Sequence, residues 1–206
     1  MESNAENIVL SPPQTEKGLN LLLQSRQSKR QFLTAPLTLN QVSSLLWACG
    51  GKKVDAVTAA SRTIPSAGGT FPLEIYLVVG KDGVKGMSQG IFHYSVEKHA
   101  LELLSGNDAR SILSKACRDK GFLTQAPASI VIGAIYNRTT NRYGDRGVRY
   151  VHMEVGHACQ NVYLMAVDLG LATVEVGAFD DTEVKKALGI ADPVEPLIVL
   201  PLGYPA

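Results

Sequence analysis

The stretch that most constrains this chain runs from Tyr143 to Gly170, YGDRGVRYVHMEVGHACQNVYLMAVDLG. It reads as one long helix, entered from an arginine-rich segment and stopped by Gly170, where a left-handed cap needs no side chain. At about 100° per residue, Glu154, His157, Asn161 and Asp168 share one narrow stripe. Nearly every other direction carries Val, Met, Leu, Ala, Cys or Tyr, and a helix apolar almost all round is a buried one. Polar groups buried there need partners, so the stripe should meet other protein, water or a ligand. The expectation is a central helix whose Glu154, His157 and Asn161 form a metal-free network that sets helix position and does no chemistry.

The rest of the chain supplies what that helix packs against. Residues 1–15 are polar, carry Pro12-Pro13 and read as an N-terminal arm, leaving 16–206 as one domain. Lys17 to Ser25 reads as a short helix with Leu19, Leu22 and Leu23 inward. Thr38 and Gln41 have capping-box spacing ahead of a helix from Leu39 to Cys49, ended by Gly50-Gly51. A loop over 52–70 leads into a strand at Leu73–Val79. Ile91–Ser95 and Ala100–Leu104 read as a hairpin, and Asp108–Lys120 as a helix closed by Gly121. Ser129–Tyr136 is a buried strand and Leu171–Val176 a short one. Asp180 and Glu183 cap a helix through Leu188 that Gly189 stops. Pro196–Leu202 is a last strand whose prolines suggest an edge or a bulge. Interleaved this way, the elements predict an α+β fold: a mixed, mainly antiparallel sheet of about five strands flanked by helices.

Charge and cysteine usage exclude several classes. Twenty Lys plus Arg against nineteen Asp plus Glu leave a formal charge of +1, which calls for neither nucleic acid nor an acidic membrane surface. No apolar run approaches the roughly 20 residues of a membrane span, and no secretory signal pattern opens the chain. Cys49, Cys117 and Cys159 are odd in number and far apart, which suits reduced thiols in a cytoplasmic protein. Glu154-x-x-His157 is half of a di-iron carboxylate motif, but His93, His99 and His152 have no Glu three residues before them, so no metal is expected. CxxC, HExxH and Walker patterns are missing from the sequence.

Three short segments carry possible ligand chemistry. Arg26 and Arg30 flank Ser28, and two forked guanidinium groups around a hydroxyl make a phosphate grip, although on these residues alone a solvated basic helix end is the more common reading. The glycines of Pro65–Gly69 let backbone approach something flat, or simply form a strand-entry turn. Val176–Phe179 is a strand end opening onto a helix start, where free N–H groups face a ligand heteroatom or water.

Taken in order, RQSKRQF, RTIPSAGGTFPLE, EVGHACQN, GLATVEVGAFDD and PLIVLPLGYP resemble the flavin-dependent nitroreductase superfamily, most of all its subgroup with the thiazole-forming, azoline-oxidising dehydrogenases. The resemblance runs from about Arg26 to Tyr204. It implies a homodimer with the long central helix at its interface and FMN at each of two interfacial sites. It assigns the FMN phosphate to Arg26, Gln27, Ser28 and Arg30. Pro65, Ser66, Ala67 and Gly68 match the loop that a neighbouring subunit lays along the flavin ring. Val176, Gly177 and Ala178 match the segment whose backbone N–H reaches flavin N5. No residue is assigned acid–base catalysis, because the flavin ring carries the hydride chemistry. NAD(P)H is the implied co-substrate, with a small aromatic or quinone-type acceptor reduced in alternation. Oxidation of a peptide azoline to an azole, or flavin binding without turnover, are the alternatives. Many relatives add a basic C-terminal tail to the phosphate. This chain stops at Ala206, so Arg142, Arg146 and Arg149 either substitute for it or pair with Asp145.

Overall fold

The computed structural model describes residues 18–53, 61–118 and 120–206. The arm expected over 1–15 and the middle of the 52–70 loop lie outside them. Two strands organise everything else: β3 (Leu73–Val79), buried except at Glu74, and β6 (Ala128–Ala134), buried throughout. Strands covered on both faces read as unbroken apolar runs, which is why neither alternates. They pair in antiparallel register, Tyr76 opposite Val131. β4 (Gly90–Ser95) and β5 (Ala100–Ser105) extend the sheet on one side; β8 (Glu195–Gly203) and the two-residue β7 (Ala172–Thr173) extend it on the other. The order β5-β4-β3-β6-β8-β7 makes six strands where about five were expected, and every pairing in it is antiparallel. A separate two-stranded ladder joins β1 (Lys52–Lys53) to β2 (Ser61–Arg62), too short to show as periodicity.

Each face of the sheet has its own helices. Ile75, Leu77, Ile130 and Ile132 face α2 (Leu39–Gly50) and the long α6 (Arg146–Asp168). Tyr76, Val78, Val131 and Val199 face α3 (Arg110–Ala116) and α7 (Asp181–Leu188). The α2 capping box forms as its spacing predicts, Thr38 Oγ1 accepting from Gln41 N–H at 3.2 Å and Gln41 Oε1 from Thr38 N–H at 2.9 Å. Gly189 and Gly170 sit at φ 66° and 68°, the left-handed caps read from the sequence.

Four expectations change. The helix expected through Lys120 ends at Ala116, and Gly121, at φ −53°, opens α4 (Phe122–Gln125) instead of closing α3. The helix α1 (Gly18–Ser25) buries no residue: Leu19 and Leu23 are exposed and Leu22 half-buried. A short helix α5 (Asn137–Tyr143) takes up the start of the long stretch, so α6 begins at Arg146. And α6 buries one face, not all of them. Gly147, Val151, Glu154, Val155, Ala158, Val162 and Ala166 recur at three- and four-residue spacing inward. Val148, His152, Met153, Gly156 and His157 stand on the outside of the chain. Among the described residues no helix is long and apolar enough to cross a membrane.

Candidate functional site

The first candidate segment leaves α1 and runs beside β7. Ser28 bridges Thr173 in parallel, and Lys29 N–H donates to Thr173 O at 3.0 Å. A tyrosine from the central helix fixes the join. Tyr163 Oη lies 2.8 Å from Ser28 Oγ and accepts from Glu175 N–H at 3.0 Å, while the Arg26 guanidinium lies over the Tyr163 ring, 5.2 Å from its centre. With the backbone donor already accepted, the tyrosine hydroxyl can give its own proton to Ser28 Oγ, which turns the serine O–H outward. Gln27, Ser28 and Arg30 are exposed and Arg26 half-buried.

The third segment ends at the same place. Val176 exchanges two 2.9 Å backbone bonds with Val199 and is buried. Gly177 and Ala178 follow, both exposed, and among the described residues no acceptor takes their N–H groups. Asp180 then caps α7, its carboxylate accepting from Glu183 N–H at 2.9 Å. Arg26, Gln27, Ser28, Arg30, Val176, Gly177 and Ala178 therefore share one edge of the fold, a cationic and hydroxyl-bearing strip beside two outward N–H donors.

Pro65, Ser66, Ala67 and Gly68 lie elsewhere, against the other half of α6. Ser66 Oγ accepts from Phe71 N–H at 2.9 Å. Gly68 stands at φ 60°; its carbonyl accepts from Arg142 Nη1 at 3.1 Å, and a Cβ there would come within 2.5 Å of Tyr143 Oη. Thr70 Oγ1 and Thr139 Oγ1 are 2.8 Å apart. Within one chain, this loop is thus held at α5 and the other two segments at Tyr163.

Two side-chain expectations are corrected. The stripe on α6 is not one network: Glu154 is buried on the inner face, and Asn161 donates to Ala48 O (3.1 Å) and Thr63 O (3.3 Å), tying down the end of α2. His157 and Asp168 are exposed, because the stripe sits at the border of the buried face. Among the described residues no ion pair joins Asp145 to Arg142, Arg146 or Arg149. Arg142 serves the Gly68 carbonyl instead. The cysteines are free and buried, and burial pushes Cys49 up to about 12 and Cys117 to about 11, far from a reactive thiolate. Tyr163 was missed by sequence reasoning; its one signal was a hydroxyl on an otherwise apolar helix face, which had to find a partner.

Residues 23–204 match the model of the nitroreductase family. The chain belongs to that family. A provisionally named nitroreductase of Methanocaldococcus jannaschii is 43% identical over 192 residues, 93% of either chain. The microcin B17-processing protein of Escherichia coli is 28% identical over 142 residues, 67% of this chain; the chain spans only about half of that protein, since the match covers 52% of it. Among solved structures, a provisionally named nitroreductase from Ralstonia eutropha superposes with a TM-score of 0.77 at 27% identity, covering 96% of this chain and 88% of that one. The NADPH:FMN oxidoreductase of Vibrio harveyi, solved in complex with NAD+, shares the fold at TM-score 0.62 and 18% identity, over 90% of this chain and 67% of that one. The six-stranded antiparallel sheet with its helices is thus the nitroreductase-like fold, and the family is one of oxidoreductases.

Proposed function

We propose that the 16–206 body is an FMN-dependent oxidoreductase that works as a homodimer and uses NAD(P)H to reduce a small aromatic or quinone-type acceptor. The observation that carries this reading is the convergence of the Arg26–Arg30 strip with the unpaired N–H groups of Gly177 and Ala178. Those groups fit a ligand with an anionic end and a ring nitrogen acceptor. Arg26 and Arg30 supply charge to the phosphate, and Ser28, oriented by Tyr163, supplies a neutral donor. The Gly177 and Ala178 N–H groups face the ring, where a fixed donor favours the charge that develops during hydride transfer. Pro65–Gly68 from the second subunit covers the ring and keeps water away. Bound there, FMN supplies the hydride chemistry, which is why the protein needs no nucleophile or general base of its own. The Vibrio harveyi oxidoreductase, named for FMN and NADPH and sharing this fold, supports the choice of both.

The test is optical. FMN titrated into the purified chain should bind at one per subunit, and anaerobic NADH or NADPH should bleach it. A chain that takes up no flavin sinks the proposal, and a bound flavin that neither nucleotide bleaches reduces it to a carrier. Similarity to the microcin B17-processing protein favours a second reading, oxidation of a peptide azoline to an azole. Bleaching of the bound flavin by an azoline peptide but by neither nucleotide would select it.

Arg26→Ala should raise the FMN dissociation constant at least about tenfold, since a charge-assisted bond is worth roughly 1.5–3 kcal/mol. Tyr163→Phe should weaken binding by a smaller factor of about three to ten, because it frees Ser28 without removing a charge. Equal affinity in wild type and Arg26→Ala would remove this segment from the site.

A further inference from the structure

The loop over residues 65–71 is tied to its own chain by α5, a helix to which none of the roles above gives work. Arg138 and Arg142 stand four residues apart on it with Thr139 between them, on one side of seven residues. Each meets the returning limb of the loop. Arg142 Nη1 donates to Gly68 O at 3.1 Å, and Arg138 Nη1 donates to Phe71 O at 3.1 Å. Thr139 is buried, with its hydroxyl 2.8 Å from Thr70 Oγ1. Thr70 gives its own proton to Ala67 O at 3.0 Å, so Thr139 is the donor to Thr70. The limb needs this hold. Phe71 stands at φ 44°, a left-handed conformation that a bulky residue keeps only when its surroundings impose it.

Arg138 is itself aimed. Its Nη2 lies 2.6 Å from Glu74 Oε1, and the other oxygen of that carboxylate lies 2.6 Å from His93 Nε2. Glu74 is the one charge on β3, a strand paired on both sides, so the carboxylate stands on the most rigid part of the fold. The forked guanidinium joins that carboxylate to a strained loop carbonyl, a span that suits two fixed donors and not a single ammonium. We propose that Arg138 is a positioning residue: held by Glu74, it fixes the Phe71 carbonyl and so sets the shape in which the 65–68 loop is presented to the cofactor. The part of this inference that concerns FMN rests on the flavin reading above; the hold on the loop does not.

The experiment is amide exchange at Gly69, Thr70 and Phe71 in the flavin-free chain. These three N–H groups close the loop on itself, onto Ser66 O, Ala67 O and Ser66 Oγ. Arg138→Ala should lower their protection about fivefold, the scale of a charge-assisted bond made by a partly exposed guanidinium. Glu74→Gln, which keeps Arg138 but removes the charge that aims it, should lower the same three. Arg138→Lys should recover only part of the loss, because one ammonium cannot take both acceptors. Val184→Ala truncates the core on the opposite face of the sheet, and it should leave all three amides as they are, since they exchange by local opening. Unchanged protection in Arg138→Ala, or an equal fall in Val184→Ala, overturns the proposal. With FMN added, Arg138→Ala should raise the dissociation constant about threefold or more, and a loosened loop with unchanged affinity overturns the step from loop to cofactor. A wild type that binds no FMN, but whose loop loosens in Arg138→Ala as described, supports the hold on the loop and refutes the flavin reading.

Discussion

Between pH 4 and pH 8 the stability difference between Glu154→Gln and the wild type should shift by about 3 kcal/mol in the variant's favour. The Glu154 carboxyl is lifted from its ordinary 4.5 to about 7, first because burial disfavours the anion, with Ser66 and Arg62 only partly offsetting that. The native chain therefore binds this proton more tightly than the unfolded chain does. From pH 4.5 to 7 the native state holds more protons, so the wild type loses stability as the pH rises and levels off above 7. Glutamine does not titrate, so the loss disappears in the variant. Comparing the two proteins at both pH values cancels any pH-independent change in packing or hydrogen bonding. Urea unfolding at pH 4 and pH 8 measures it; a difference that stays constant, or moves against the variant, refutes the assignment of a buried, lifted acid.

The same residue then costs the fold stability at neutral pH. A buried ionisable group kept at such a cost is what functional positions show when local consistency is given up for placement.

How far the sequence discloses this structure depends on the range over which each residue acts. The capping box at Thr38 and Gln41, the Asp180 cap and the stops at Gly170 and Gly189 are local and form as read. The α3 boundary fails because Arg118 turns to φ 58° two residues past the helix and its N–H bonds back to Lys115 O, a left-handed stop with no glycine to announce it. The final strand shows a mixed outcome. Its bulge is present, a register shift opposite Ile132 and Gly133, yet β8 lies inside the sheet. It tolerates Pro201 because Val199 N–H points away from β6, to Val176. Two residues on, the missing donor of Pro201 falls on that same sparsely paired edge, beyond the two residues of β7. At the site, the ordered motifs named the three segments, but not which of them meet. Ser28 and Tyr163 are 135 residues apart, and no periodicity encodes that bond.

A chain carrying Gly156→Arg should sediment as a folded monomer of 22.1 kDa without flavin, whereas the wild type should sediment at about twice that mass with flavin bound. The outer face of α6 motivates this. Val148 is 40% and Met153 53% exposed on either side of Gly156, and Leu19, Leu23 and Trp47 add bare apolar surface on α1 and α2. A helix face with bare apolar side chains around a glycine suits an interaction face, and a twofold partner would set the same surface against itself. A Cβ at Gly156 meets nothing in its own chain, and arginine is the better helix former, so the substitution leaves the single subunit intact. At a twofold interface it places two guanidinium groups and their bulk where close helix approach is needed. On the proposed reading flavin is lost with the dimer, because the 65–68 loop that covers the ring would come from the second subunit. A Gly156→Arg protein that remains a flavin-loaded dimer would show that α6 does not form the interface. A flavin-loaded monomer would show that one chain builds the whole site.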